Sequence, residues 1–203
     1  MLRQLFGPPL EEVWSQFAAQ LGAEFRPWSF GNATQVRARV GVWEIVLDAY
    51  VEPAGQVHVP MTRLRAPFSN PSGFRFSVQT EHFFHRLGKS LGLQSDIEVG
   101  EWVFDKKFVV TGSNRARVVE LLGDAELRAR LLALQSVSFS VRDHEGFFGA
   151  KFPPKTDMLL FQQQGHCKDL NELKTMFEVF ALTLGRLAAL DPDAGGAPGV
   201  VLR

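Results

Sequence analysis

The chain has 203 residues, 45% of them apolar and 22% charged, enough for one large domain or two small ones with a substantial core. Its 22 basic and 22 acidic residues cancel, so no global charge draws it to nucleic acid or to a membrane surface, and only a local patch could do so. A lone cysteine, Cys167, excludes an internal disulfide, no run reaches the ~20 apolar residues of a membrane helix, and no signal-peptide pattern opens the sequence; a cytoplasmic protein with no membrane partner is expected.

Taken in chain order, the first element is a helix. Pro8-Pro9 suits a first helical turn, and Leu10, Val13, Trp14, Phe17, Ala18 and Leu21 then form one apolar stripe at steps of three and four, with Gly22 as the stop. The period next switches to two. Val36, Ala38 and Val40 alternate with Arg37 and Arg39, and after Gly41 the phase shifts to Trp43, Ile45 and Leu47. Two strands joined tightly around Gly41 account for that shift. Glu52 to Gly55 reads as a turn, His58 to Phe68 as a third strand, Asn70 to Gly73 as a turn, and Phe74 to Thr80 as a fourth strand. Residues 34–80 are therefore predicted to be a four-stranded antiparallel meander.

His82 to Leu91 reads as a short helix ended by Gly92, and Trp102 to Thr111 as a strand. Two helices follow, one over Arg115 to Leu122 capped by Ser113 or Asn114, the next capped by Asp124 with Leu127, Leu131 and Leu134 on one face. Val137, Phe139 and Val141 mark a half-buried strand, and strands are expected at Phe147 to Phe152 and Asp157 to Gln163. In the last helix Leu170, Leu173, Phe177, Phe180, Leu184 and Leu187 recur at steps of three and four, Asp169 caps it and Asp191-Pro192 stops it. Apolar residues lie off that stripe too, so this helix is expected to be buried on more than half its circumference. The predicted architecture is α+β, a mostly antiparallel sheet of about seven or eight strands packed by an N-terminal helix, a central helix pair and a long buried C-terminal helix. Residues 1–190 read as one domain and 191–203 as a flexible tail.

Phe104-Asp105-Lys106-Lys107-Phe108-Val109-Val110, followed by a polar turn, two leucine-bearing helices and a serine-rich strand, resembles an uncharacterised bacterial family with an F-[DE]-x-x-F-x-V strand ahead of two helices. The resemblance spans roughly residues 97–190. Gly41 to Tyr50 is similar to a G-x-W-x-I-x-L-D-x-Y strand of other uncharacterised bacterial proteins. Both resemblances imply a bacterial cytosolic fold, and neither carries catalytic residues.

Few residues point to chemistry. Arg37, Arg39, Arg63 and Arg65 sit at the polar phase of their strands, and Arg75 lies between Phe74 and Phe76. Arginine forks match phosphate and carboxylate geometry, so these five are candidates for binding an anionic or protein partner. Cross-strand pairing with Glu44 and Asp48 on a solvated face is the plainer reading. His82 and His85 have a spacing that could serve a metal together with His166 and Cys167, but Phe83-Phe84 between them reads as core, so neither metal nor cofactor is expected. Cys167 precedes a helix N-terminus, where a thiol would be activated, yet it lacks a positioned base. No G-x-S-x-G, H-E-x-x-H, C-x-x-C or glycine-rich phosphate loop occurs. The expected function is thus a non-catalytic interaction or scaffold domain. The alternative is a carrier of an apolar small molecule, with the 18 phenylalanines lining a cavity between sheet and last helix, and a Cys/His enzyme comes third. An exposed meander edge offers a route to a homo-oligomer.

Overall fold

The computed structural model describes residues 8–30, 33–54, 56–83, 97–143, 152–191, 193, 196, 198–200 and 202. Helix α1 (Leu10–Leu21) leads into β1 (Glu24–Arg26), β2 (Gln35–Val40), β3 (Trp43–Ala54), β4 (Val57–Ser69) and β5 (Phe76–Thr80). Then come α2 (Trp102–Lys107), β6 (Phe108–Gly112), α3 (Arg115–Leu122), α4 (Ala125–Ala133), β7 (Ser138–Arg142), β8 (Thr156–Gln164) and α5 (Leu170–Leu190). All eight strands form one antiparallel sheet in the order β1-β2-β3-β4-β8-β7-β5-β6. The α+β expectation and the long C-terminal helix both hold.

Local chemistry explains the parts that match. Gly41 sits at φ 57° in a two-residue link that pairs Val40 with Trp43, a left-handed position that glycine occupies without a Cβ clash. Gly22 ends α1 in the same conformation, its N–H returning to Ala18 and Ala19. Asn114, Asp124 and Asp169 cap α3, α4 and α5 by accepting N–H groups of the first turn, the role their short acceptor side chains suit.

Three expectations are corrected. Trp102 to Thr111 is not one strand: its first half is α2 and only Phe108–Gly112 extends. Glu101 caps this helix through Val103 N and Phe104 N, while the Asp105 carboxylate accepts from the N–H groups of Val99, Gly100 and Glu101. Six helical residues bring Phe104 and Phe108 together, ring centroids 4.7 Å apart, a spacing that alternation and a helical turn share in so short a run. The motif behind the bacterial resemblance is therefore half helical.

The second correction concerns the meander, whose predicted fourth strand, β5, does not lie beside the third, β4. β8 and β7 lie between β4 and β5, because the turn at Asn70 carries the chain away instead of folding it back. The Asn70 side chain accepts from Phe74 N and donates to Phe74 O and to the Asp157 carboxylate. Third, β3 continues through Pro53, paired with His58, where a turn was expected, and the short strand β1 was not expected at all. Of the predicted helix at 82–91, Glu81 to Phe83 are helical and the rest lies outside the described residues, as does most of the predicted strand at 147–152.

The two faces of the sheet differ in kind. Val36, Leu47, Leu64, Phe161, Phe139, Val78 and Val110 face the helices and form the core with Trp14, Phe17, Leu121, Leu131, Met176 and Phe180. α5 packs on β4 and β8, α1 covers β1 and β2, and α3 and α4 lean on α5. Gly112 lets α3 approach: a Cβ there would strike Val118 and come within 3.2 Å of the Arg75 carbonyl. The opposite face is polar, and it holds the arginines.

Candidate functional site: the arginine-bearing sheet face

Register decides which arginines meet. Gln35 pairs with Asp48, which pairs with Arg63, and Arg37 pairs with Val46, which pairs with Arg65. Directly opposed residues share a face, and so do residues two apart. Arg37, Arg39, Arg63, Arg65, Glu44 and Asp48 are thus on one face, together with Tyr50 and, from β8, Gln162.

Asp48 is the centre. Arg63 grips it with two hydrogen bonds, Nε to Oδ1 at 2.7 Å and Nη2 to Oδ2 at 3.1 Å. Arg65 reaches the same carboxylate from the other side at 2.6 Å. The Asp48 and Arg65 side chains are 2% and 5% exposed, and Arg63 is 19% exposed. Arg63 also lies over the Tyr50 ring, 4.5 Å from its centroid, and the Tyr50 hydroxyl accepts a short hydrogen bond from Gln162. Burial, reinforced by nearby Glu52, pushes the Tyr50 hydroxyl above the usual tyrosine range, so it remains a neutral donor.

Arg37 is held by three acceptors: Gln35 at 3.1 Å, Glu44 at 3.0 Å and the Leu202 carbonyl at 2.8 Å. Arg39 is exposed and, among the described residues, has no ion-pair partner. Arg75 lies outside the paired strands. It precedes β5 and pairs with Asp143 at 3.0 Å. The structure therefore brings four of the five arginines together and sets three of them against acids of the same face.

Among the described residues no three His, Cys, Asp or Glu side chains converge as metal ligands, and His85 lies outside those residues. Cys167 is buried, and desolvation pushes its thiol up to about 12. At neutral pH such a sulfur is a thiol, not a nucleophilic thiolate. Its backbone is a staple instead: Cys167 N donates to the Thr62 hydroxyl at 2.8 Å, and its carbonyl accepts from Trp14 Nε1 at 3.0 Å. The loop before α5 is thereby tied to β4 and α1.

A second feature lies where β3 runs past the start of β2. Leu10, Trp28, Ala33, Ala49, Val51 and His166 line most of a cleft of about 430 Å³. Trp28 is 64% exposed at its rim. Burial, aided by Lys168, lowers the His166 pKa, although a hydrogen bond to the Tyr50 backbone acts the other way. Between the sheet and the last helix, where the carrier alternative puts its cavity, phenylalanine rings meet one another. Phe139 packs against Phe76, Phe161 and Phe180 at centroid distances of 5.5, 5.7 and 6.1 Å, and Phe177 meets Phe17 edge-on at 6.2 Å.

Sequence reading missed Tyr50, Gln162 and Leu202 on the face, and the cleft altogether. Tyr50 left a signal, being the one tyrosine in a chain with 18 phenylalanines: only a place needing a hydroxyl would keep one. Leu202 left none.

Fold and face define an α+β protein with one antiparallel eight-stranded sheet, helices on one side and a charged, ion-paired surface on the other. No family model matches the chain and no curated protein matches its sequence, so the resemblance to an uncharacterised bacterial family rests on its motifs alone. Among solved structures, the chain is similar to the crystal structure of the mycobacterial trehalose monomycolate transport factor A, with a TM-score of 0.50 and 8% identity over 88% of this chain and 94% of that one. At that identity the likeness is one of fold. No helix among the described residues is long and apolar enough to cross a membrane.

Proposed function

We propose that the chain is a non-catalytic interaction domain that recognises an anionic surface of a partner through the arginine-bearing face. The observation that supports it is the sharing of one buried acid on that face: Arg63 and Arg65 both stand on Asp48. Ion pairing alone would be served by one guanidinium for each carboxylate, whereas Asp48 receives two. Arg39 is exposed and Arg63 is the more exposed of the two arginines on Asp48, at 19% against 5%, so these two are the contact residues. Arg65 and Arg37 are the buried frame.

The test follows from that division. Reversing Arg65 would bury two acids side by side and unfold the face, so it would answer nothing. Arg39→Glu with Arg63→Gln leaves Asp48 paired to Arg65. In a heparin-affinity or fluorescent-polyanion titration the double variant is expected to bind about tenfold more weakly, with a shallower salt dependence, since each neutralised phosphate contact contributes to the slope. Equal binding and an equal slope in both proteins would remove the anion reading.

The cleft favours a second reading, a site for an apolar small molecule. Its size falls in the range of ligand pockets, most of its named walls are apolar, and the neighbour of like fold is named a trehalose monomycolate transport factor. Ala49→Phe fills the cleft from β3. It should abolish quenching of Trp28 fluorescence by a spin-labelled fatty acid if the cleft is the site; quenching that survives the substitution places the fatty acid elsewhere.

A further inference from the structure

We infer that the arginine-bearing face contains a peptide-docking notch that the chain's own C-terminal segment plugs. Val46, Met158 and Leu160 lie on this polar face, where alternation would leave them open to water, yet they are 0%, 1% and 4% exposed. Leu202 packs on all three and is itself 3% exposed, with Phe152 alongside. Above the notch Arg37 donates Nη2 to the Leu202 carbonyl at 2.8 Å, while Glu44 and Gln35 hold the rest of its guanidinium. The notch is therefore complete: an apolar floor for one leucine-sized side chain, and a pre-oriented cation for the carbonyl of the same residue.

The occupant is poorly suited to be permanent. It stands twelve residues beyond the end of α5 at Leu190, in a stretch containing Gly195, Gly196, Pro198 and Gly199. Among the described residues, Asp191 near Arg117 at 3.7 Å and the Asp193 carbonyl on Ser69 at 3.3 Å also anchor it. Ordering a glycine-rich stretch costs more backbone entropy than ordering other sequence, which favours exchange of the Leu202 plug for a competing segment. A segment of another protein with the same chemistry, an extended backbone carrying a leucine-like side chain, can take its place. The face would then be uncovered by the partner that uses it. This rests on the interaction-domain reading, and it adds both a ligand class and a self-blocking device.

The probe is a fluorescein-labelled peptide with the sequence of residues 193–203, titrated into the full chain and followed by anisotropy. Wild type carries its own plug and should bind weakly; Leu202→Asp, which ejects the plug, should bind about tenfold more tightly, because the apparent dissociation constant is the intrinsic one divided by the open fraction. Adding Arg37→Ala to Leu202→Asp should take most of that gain away. Equal binding by wild type and Leu202→Asp, or none by either, overturns the inference. If circular dichroism shows Leu202→Asp unfolded, Leu202→Ser replaces it, and the same comparison decides. Polyanion binding is measured on the same proteins: its persistence without peptide binding removes the plug alone, and its loss with peptide binding intact removes only the anion reading.

Discussion

Replacing Asp48 with alanine is expected to cost about 3–5 kcal/mol of folding stability, the range for breaking a buried ion pair from one side. The reason is what remains. Arg65, 5% exposed, and Arg63, 19% exposed, would face each other with no carboxylate between them. Neither can release its proton at any pH the protein tolerates, so both charges stay on the face after the carboxylate they share is gone. For a chain of this length each kcal/mol moves the melting temperature by about 2–4 °C, which predicts a drop on the order of 10 °C in a calorimetric scan. Asp48→Asn keeps the volume and loses the charge, and it should fall between the two.

A companion variant separates the charge from the packing. Asp48→Leu combined with Arg65→Met removes the buried pair while filling its volume, and apolar replacements of buried ion pairs are often neutral or stabilising. Recovery of most of the loss would show that the network is dispensable to the fold. That is the expected result if the face is kept for recognition. A double variant as unstable as Asp48→Ala would make the network structural and weaken the case for a binding surface. A single variant within about 1 kcal/mol of wild type would mean that water already reaches Asp48.

What could be read from sequence divides along the range of the interaction. The stripe of α1, with Val13, Trp14, Phe17 and Ala18 buried, and the caps Asn114, Asp124 and Asp169 depend on neighbours within one or two turns, and periodicity reports those directly. The hairpin at Gly41 belongs to the same class. Placement of β5 beyond β8 and β7 does not, because the order of strands depends on pairings about 60 to 90 residues apart in sequence, such as Gln79 with Ser138 and Ser69 with Thr156, and a strand pattern is equally consistent with several neighbours. α2 was misread because Trp102, Phe104, Lys106 and Phe108 alternate while Phe104 and Phe108 also lie one turn apart; Asp105, which closes the loop from Val99 to Glu101, was the overlooked cue. The shared face of Arg37, Arg39, Arg63 and Arg65 was legible, since phase assigns a face, but its burial was not. Leu202 and the plug were invisible because nothing local marks a tail residue as buried.

The phenylalanine surplus has its own test at Phe139. It lies at 0% exposure in the middle of the sheet, with three aromatic neighbours, Phe76, Phe161 and Phe180, the last from α5. Phe139→Ala should cost about 3–5 kcal/mol, the lost transfer energy plus the cavity left behind. Phe177, half-buried at the edge of the same helix against Phe17, should cost about half as much on truncation, since its surroundings can relax and water can enter. The gap in denaturant midpoint between the two variants measures how tightly the sheet–helix interior is packed. Xenon binding gives the complementary readout: a dry cavity admits it, so Phe139→Ala should bind xenon where wild type does not. If wild type already takes xenon between Phe139 and Phe180, the interior has room for a ligand, and the apolar cargo belongs there and not in the cleft beside Trp28. If only the variant does, the phenylalanines are core, and any apolar ligand must be held at the open end of the sheet, where His166 and Val51 meet α1.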